Sequence, residues 1–333
     1  MSFSQTRQFG SWQYLCQESP SLAPCNLFFK QILSLGDRGE DILFSNPAFS
    51  LLDDRLDGAG VGVRPHCFIT RASVQGGLGN IAQIVCTALC LVFSLILFAA
   101  AKRRVAAVAR IEFATLIGLW SLIDVLSLLT TGGFLQQGTD YLVWITAIQM
   151  GFRSAWFWAL LVNGFNSTQL LEDGTPASIG TLWTGGIAFF LGTAYIAVDT
   201  AFNWSGRLPP SNPPEYLISN GLFVLLLLWP MIATFLFTAL MIYVIFFLLK
   251  ETLPAFWYAS SLLTFMLSQA ALFALGYTIC DGSNSRVDGA FVATLLEAIS
   301  LGFLFGGWRS ITEDSWYAYE GAQEPVYPKH AIL

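Results

Sequence analysis

Charge is what this sequence has least of. Only 11% of its 333 residues are Asp, Glu, Lys or Arg, against about 25% in soluble domains. The net charge of −6 offers no basic surface to a nucleic acid. Histidine is nearly absent, and His66 and His330 both lie outside the apolar runs. No histidine box or Cys/His zinc pattern can be assembled from them. Neither G-x-S-x-G nor a P-loop occurs. The four lysines, Lys30, Lys102, Lys250 and Lys329, avoid the centres of the runs. A retinal Schiff base inside a helical bundle therefore has no amine to form on. These gaps leave no catalytic residue, cofactor or metal site to name. The opening MSFSQTRQFGSWQYL lacks a continuous apolar core, so no cleaved signal peptide is expected.

Apolar length is what is present. Hydrophobic residues make up 55% of the chain, and the mean hydropathy is +0.60. A bilayer core needs about 20 apolar residues. Seven runs meet that length, at roughly 79–101, 112–131, 141–163, 177–199, 217–249, 255–277 and 287–307. The expected fold is an all-α polytopic membrane protein with seven transmembrane helices. Residues 1–78 form a polar, cysteine-containing N-terminal region, 79–308 the bundle and 309–333 a short tail. The fifth run is overlong and contains Trp229-Pro230, so it is expected to kink, tilt or protrude.

Lys102, Arg103, Arg104 and Arg110 lie between runs one and two, Lys250 follows run five, and Arg309 follows run seven. The positive-inside rule places these in the cytoplasm, with the N-terminus lumenal and the C-terminus cytoplasmic. Cys16, Cys25, Cys67 and Cys280 then share the lumenal side. They suit two disulfides in an oxidising compartment, with three connectivities open. Asn203-Trp204-Ser205 is a lumenal sequon and a candidate glycosylation site. The Asn166 sequon faces the cytoplasm and should be silent. Beside it, Asp173-Gly174 reads as a turn, and Thr175-Pro176 as the start of helix four.

Asp124, Arg153 and Glu297 fall inside runs. Intramembrane charges cost roughly 2.5–3.5 kcal/mol each on insertion scales, and usually face protein or water. Their depths allow Arg153 to pair with Asp124 or with Glu297, as a lock on helix packing or as part of an ion path. Gly302 and Gly306 have the G-x-x-x-G spacing of close helix contacts. The tail, acidic and aromatic, reads either as a solvated end or as an export or partner-binding peptide.

Several stretches together carry a resemblance. They are Leu15-Cys16, Ala23-Pro24-Cys25-Asn26-Leu27 and the cysteine Cys67 just before run one. Lys102-Arg103-Arg104 with Arg110 and Glu112 follow, then Asn163-Gly164-Phe165, Gln169-Leu170 and Glu172-Asp173-Gly174-Thr175. Near the end come Thr278-Ile279-Cys280-Asp281, Val287-Asp288-Gly289, Phe291, Ala293-Thr294, Trp308 and Ser310-Ile311-Thr312-Glu313-Asp314. In order and spacing these resemble the fungal chitin synthase export chaperone family, over about residues 11 to 316. The 28–63 segment looks longer than the family pattern, and its Phe- and Leu-rich face suggests amphipathic helices on the lumenal surface.

The resemblance implies a non-enzymatic protein of the endoplasmic reticulum membrane, with the plasma membrane as a second location reached alongside its client. It would bind a chitin synthase catalytic subunit, aid its folding and exit, and so support cell-wall chitin synthesis. Membrane lipids and export-coat machinery are further expected partners. Glu172, Asp173, Glu313 and Asp314 are candidate contacts for the client's cytoplasmic side. Two other classes share the seven-helix pattern. A receptor or sensor would commonly carry a cysteine at the start of helix three, and the 132–141 loop has none. A lipid or solute transporter would show broken helices in repeated halves, whereas Pro230 stands alone.

Overall fold

The computed structural model describes residues 8–44, 60–67, 69, 80–104, 109–131, 134–169, 173–208 and 210–321, the last ten by backbone alone. Three short helices precede the bundle: α1 (Gln13–Glu18), α2 (Cys25–Leu33) and α3 (Asp37–Phe44). Seven apolar helices long enough to cross a membrane follow. They are α4 (Ile81–Arg103), α5 (Arg110–Thr130), α6 (Asp140–Ser167), α7 (Pro176–Phe202), a fifth span over Asn220–Leu249, α10 (Leu253–Phe273), and the first 23 residues of α12 (Gly289–Gly321). No strand occurs among the described residues, so the fold is all-α and polytopic.

The helix boundaries follow from local chemistry. Thr175 caps α7 through its Oγ1, which accepts from the Ser178 N–H at 3.4 Å, and Pro176 takes the first helical position. The fifth span is a composite of α8 (Asn220–Phe223), a π segment (Val224–Leu228), α9 (Trp229–Tyr243) and a second π segment (Val244–Leu249). Pro230 has no N–H for the carbonyl four residues before it, and the first widened turn lies there. The sixth span stops at Phe273, earlier than the expected 277. A separate short helix, α11 (Gly276–Gly282), begins just beyond. The last helix instead runs past residue 309 into the tail. Nothing between Trp308 and Glu320 is Gly or Pro to interrupt it, and the described helix extends to Gly321.

α6 is the central helix: 72% of its apolar window is buried, against 22% for α7, the fifth span and α10. It packs on α5, α7 and α9 and also touches α2. One apolar core runs through the bundle from Trp156 and Phe157 to Phe113 in the first turn of α5, with Leu116, Leu301 and Trp308. A second joins the N-terminal region to α6, α7 and α12 through Trp12, Leu27, Phe28, Val143, Ala197 and Ala293.

That second core corrects the expected surface placement of the 28–63 segment, in its first part. α2 does not lie on the surface. Seven of its residues, from Cys25 to Ile32, are buried, and it sits in the mouth of the bundle. The reason is polar as well as apolar. Asn26 Nδ2 donates to the Thr130 carbonyl at 3.2 Å, and Gln31 Nε2 donates to the Thr200 carbonyl at 2.8 Å. These bonds satisfy carbonyls at the ends of two spans, which a helix floating at the interface would leave to water. α3 is more exposed, with Gly39 and Leu43 its buried residues.

Candidate functional site

Two disulfides fasten the N-terminal cap. Cys16 pairs with Cys25 (Cα–Cα 5.7 Å), joining α1 to α2. Cys67 pairs with Cys280 (Cα–Cα 6.1 Å), joining the segment before α4 to α11. Around them, Asp288 accepts from the N–H of Ser21 at 3.0 Å and from that of Phe291 at 3.3 Å. It thereby caps α12 and holds the cap segment at once. Burial pushes its carboxyl above the ordinary carboxylate range, opposed by these N–H donors.

In mid-bundle the structure chooses one of the two pairings left open for Arg153. Its Nη2 lies 3.2 Å from Glu297 Oε2, and Gln269 Nε2 donates to the other oxygen at 3.3 Å. Glu297 is only 8% exposed. Asp124 is held elsewhere, accepting from Ser94 Oγ at 3.1 Å, and Ser121 Oγ donates in turn to Ser94. On the cap side of the Arg153–Glu297 pair lies a small cavity of about 90 Å³, its largely apolar lining broken by Gln83, Gln149, Ser127 and Thr131. On the other side a larger cavity of about 270 Å³ opens between α9 and α10. Its walls are apolar, from Phe237, Met241, Tyr258 and Phe265. Its floor carries Glu297, Ser261 and Ser300. α9 and α10 touch little along their length, which leaves this lateral cleft between the fifth and sixth spans.

At the end opposite the cap, two turns are clasped together. Glu112, in the first turn of α5, is fully buried. Its Oε1 accepts from the Gly174 N–H at 3.0 Å and from Ser178 Oγ at 2.6 Å. Asp173 Oδ2 accepts from the Ala109 N–H at 2.9 Å. Burial pushes the Asp173 carboxyl above its ordinary value, the Ala109 N–H opposes the shift, and Glu112 adds to it. Gly174 has a φ of +71°, where only glycine is unstrained.

Asp173 is thus exposed on one side and committed to Ala109 on the other. Glu172 lies outside the described residues. Glu313 and Asp314 lie on the extension of α12, where the description is of backbone alone. Asn166 is buried and donates to Ser178 Oγ at 2.9 Å, so its amide is not presented to solvent. Asn203 is exposed at the end of α7, but the Ser205 hydroxyl of its sequon donates to Asp199 at 2.7 Å. Gly302 and Gly306 are spent inside the bundle, against the rings of Phe93 and Trp257. Glu112 and Asp288 had drawn notice only as motif residues. The available signal for Glu112 was a carboxylate opening an apolar run, across from an Asp-Gly turn.

A model of the chitin synthase export chaperone family matches residues 8–321. Among curated relatives, the chitin synthase export chaperone of Gibberella zeae is 29% identical over 258 residues, covering 76% of this chain and 74% of the relative. That of Chaetomium globosum is 29% identical over 261 residues, covering 77% and 75%. That of Coccidioides immitis is 27% identical over 273 residues, covering 80% and 79%. No solved structure matches the chain.

Proposed function

This chain belongs to the chitin synthase export chaperone family, and on that premise we propose how it serves its client. It binds a chitin synthase catalytic subunit in the endoplasmic reticulum membrane, helps it fold and promotes its exit, without itself catalysing a reaction. The observation that carries this reading is the extent of the family match, residues 8–321, which takes in both the cap and the bundle.

The lateral cleft gives the reading a physical form. A synthase during assembly presents helix faces that have not yet found partners. The cleft between α9 and α10 offers such a face apolar walls and, on its floor, Ser261, Ser300 and Glu297 as hydrogen-bond partners. The orientation that fits has the cap in the lumen. The disulfides cluster at that end, and Lys102, Arg103 and Arg110 lie at the other. The exposed side of Asp173, with Glu172, Glu313 and Asp314, then faces the client's cytoplasmic part, where coat machinery would also act. A glycan on Asn203 would require Ser205 to leave Asp199.

The test is deletion of this protein in its native cell, with a tagged synthase followed by fractionation and microscopy. The synthase should accumulate in the endoplasmic reticulum and co-purify with this protein from mild detergent when it is restored. A synthase that reaches the cell surface undiminished, with G-protein subunits recovered in its place, would move the chain to the receptor class. Within the chaperone reading, Ala259→Trp should fill the cleft and lower synthase recovery severalfold. Asp173→Lys should lower it less.

A further inference from the structure

At the end opposite the cap, a groove of about 580 Å³ runs along the outer face of the bundle, apart from the cleft. Its walls come from three spans: Phe98 on α4, the row Ile111, Ala114, Gly118 and Leu122 on α5, and Trp183 on α7. Two cations, Lys102 and Arg110, stand at its rim. We propose that this groove is a binding site for one anionic glycerophospholipid of the adjoining leaflet, its headgroup between Lys102 and Arg110 and an acyl chain along α5.

Three observations converge on that occupant. The first is length. From Arg110 to Leu122 the groove follows twelve residues of α5, about 18 Å at roughly 1.5 Å per residue. One leaflet of a hydrocarbon core about 30 Å thick has nearly that depth. The second is the segregation of charge. The cations stand where the two helices meet the membrane surface, at the last turn of α4 and the first residue of α5. Everything deeper is apolar apart from Thr115, whose hydroxyl already donates to the Ile111 carbonyl. The third is that the cations are available. Arg110 has no carboxylate partner among the described residues. Lys102 lies over the Phe98 ring, 4.6 Å from its centroid, which holds the ammonium against the groove wall. Gly118 lets that same ring pack closely on α5, since a Cβ there would lie 3.2 Å from it. A zwitterionic lipid would bring its own cation along with its phosphate and so no net charge to set against the two cations, and a free anion would leave the apolar trough unfilled.

The experiment is native mass spectrometry of the full-length protein in mild detergent, titrated with phosphatidylserine and with phosphatidylcholine. One phosphatidylserine should be retained at concentrations where phosphatidylcholine is not. Each rim cation near an anionic headgroup supports about a fivefold change in affinity, and the two together about thirtyfold. Lys102→Gln with Arg110→Gln should therefore weaken phosphatidylserine about thirtyfold, while Arg103→Gln, exposed but off the groove, should change it less than twofold. Thr115→Phe fills the trough without touching charge and should weaken binding comparably, and it decides the matter if the double variant does not fold. Equal retention of the two lipids overturns the proposal. So does an Arg103→Gln effect as large as that of Lys102→Gln, unchanged binding by Thr115→Phe, or displacement by inorganic phosphate at equal concentration.

Discussion

The two ends of this bundle solve one problem with different bonds. At the cap end a long segment must be fastened over the helix mouths. Two disulfides do this, together with α2 buried in the opening. At the opposite end the turns before α5 and α7 are short. The carboxylates of Glu112 and Asp173 hold them together through backbone N–H groups and one hydroxyl. No disulfide lies at that end among the described residues. Covalent fastening suits long loops, whose closure costs most entropy, and it persists only where the surroundings are oxidising. Hydrogen bonds to buried carboxylates suit short turns already near their final shape. The contrast gives the molecule a chemical polarity across the membrane as well as an electrostatic one.

Cys67→Ser with Cys280→Ser should break the comparison most. On the chain-entropy scale, a crosslink spanning 213 residues contributes up to about 5 kcal/mol, and one spanning 9 residues about 2.6 kcal/mol. The larger crosslink should therefore dominate the loss of thermal midpoint in detergent. Dithiothreitol should reproduce that loss in the wild type and add nothing to a variant lacking Cys16, Cys25, Cys67 and Cys280. A larger loss from Cys16→Ser with Cys25→Ser would reverse the ranking.

Next in size is the pair that belongs to neither end. Arg153→Ala strands Glu297 and should cost about 3–5 kcal/mol, whereas Arg153→Leu with Glu297→Leu should recover much of it. A double variant no better than the worse single one would show that the pair does more than lock α6 to α12. Glu112→Ala should follow, at about 2–3 kcal/mol, by leaving the Gly174 N–H and the Ser178 hydroxyl without their acceptor. That loss should be indifferent to dithiothreitol. Sensitivity to it would mean that the two ends are coupled.

The spans were legible because about 20 apolar residues in a row is a local property, and the long helices begin and end within a few residues of the runs, save at the end of α12, which continues into the tail. Where the reading slipped, the missing information lay in distant partners. The Phe- and Leu-rich start of the 28–63 segment read as a surface helix, but Asn26 and Gln31 of α2 are bonded to the carbonyls of Thr130 and Thr200 and draw it into the bundle. No spacing rule could pair Cys67 with Cys280 across the whole bundle, or choose Glu297 over Asp124 for Arg153. Glu112 was visible as a residue but not as a clasp, since its partners arrive from the far side of α6. Asp173 shows the reverse case. Its turn chemistry was plain from Asp-Gly-Thr-Pro, yet the carboxylate that looked free for a partner already holds Ala109.

The smallest effect separates the two carboxylate uses most sharply. Asp288 works at the cap end as the end-clasp residues do at the other, accepting N–H groups from two segments. Asp288→Asn keeps one acceptor oxygen for Phe291 and loses the bond to Ser21, at a cost of about 1 kcal/mol. Burial raises the folded-state pKa of Asp288 above its ordinary value. Its contribution to stability is then fullest below the ordinary carboxylate range and is lost as pH rises through the folded value. Asparagine does not titrate, so the deficit of the variant against the wild type should be largest in acid and should close as pH rises toward neutrality. Thermal midpoints of both proteins across that range measure it. A deficit that widens with pH would mean that the surrounding N–H groups favour the charged carboxylate more than burial opposes it, and that Asp288 is an ionised clasp.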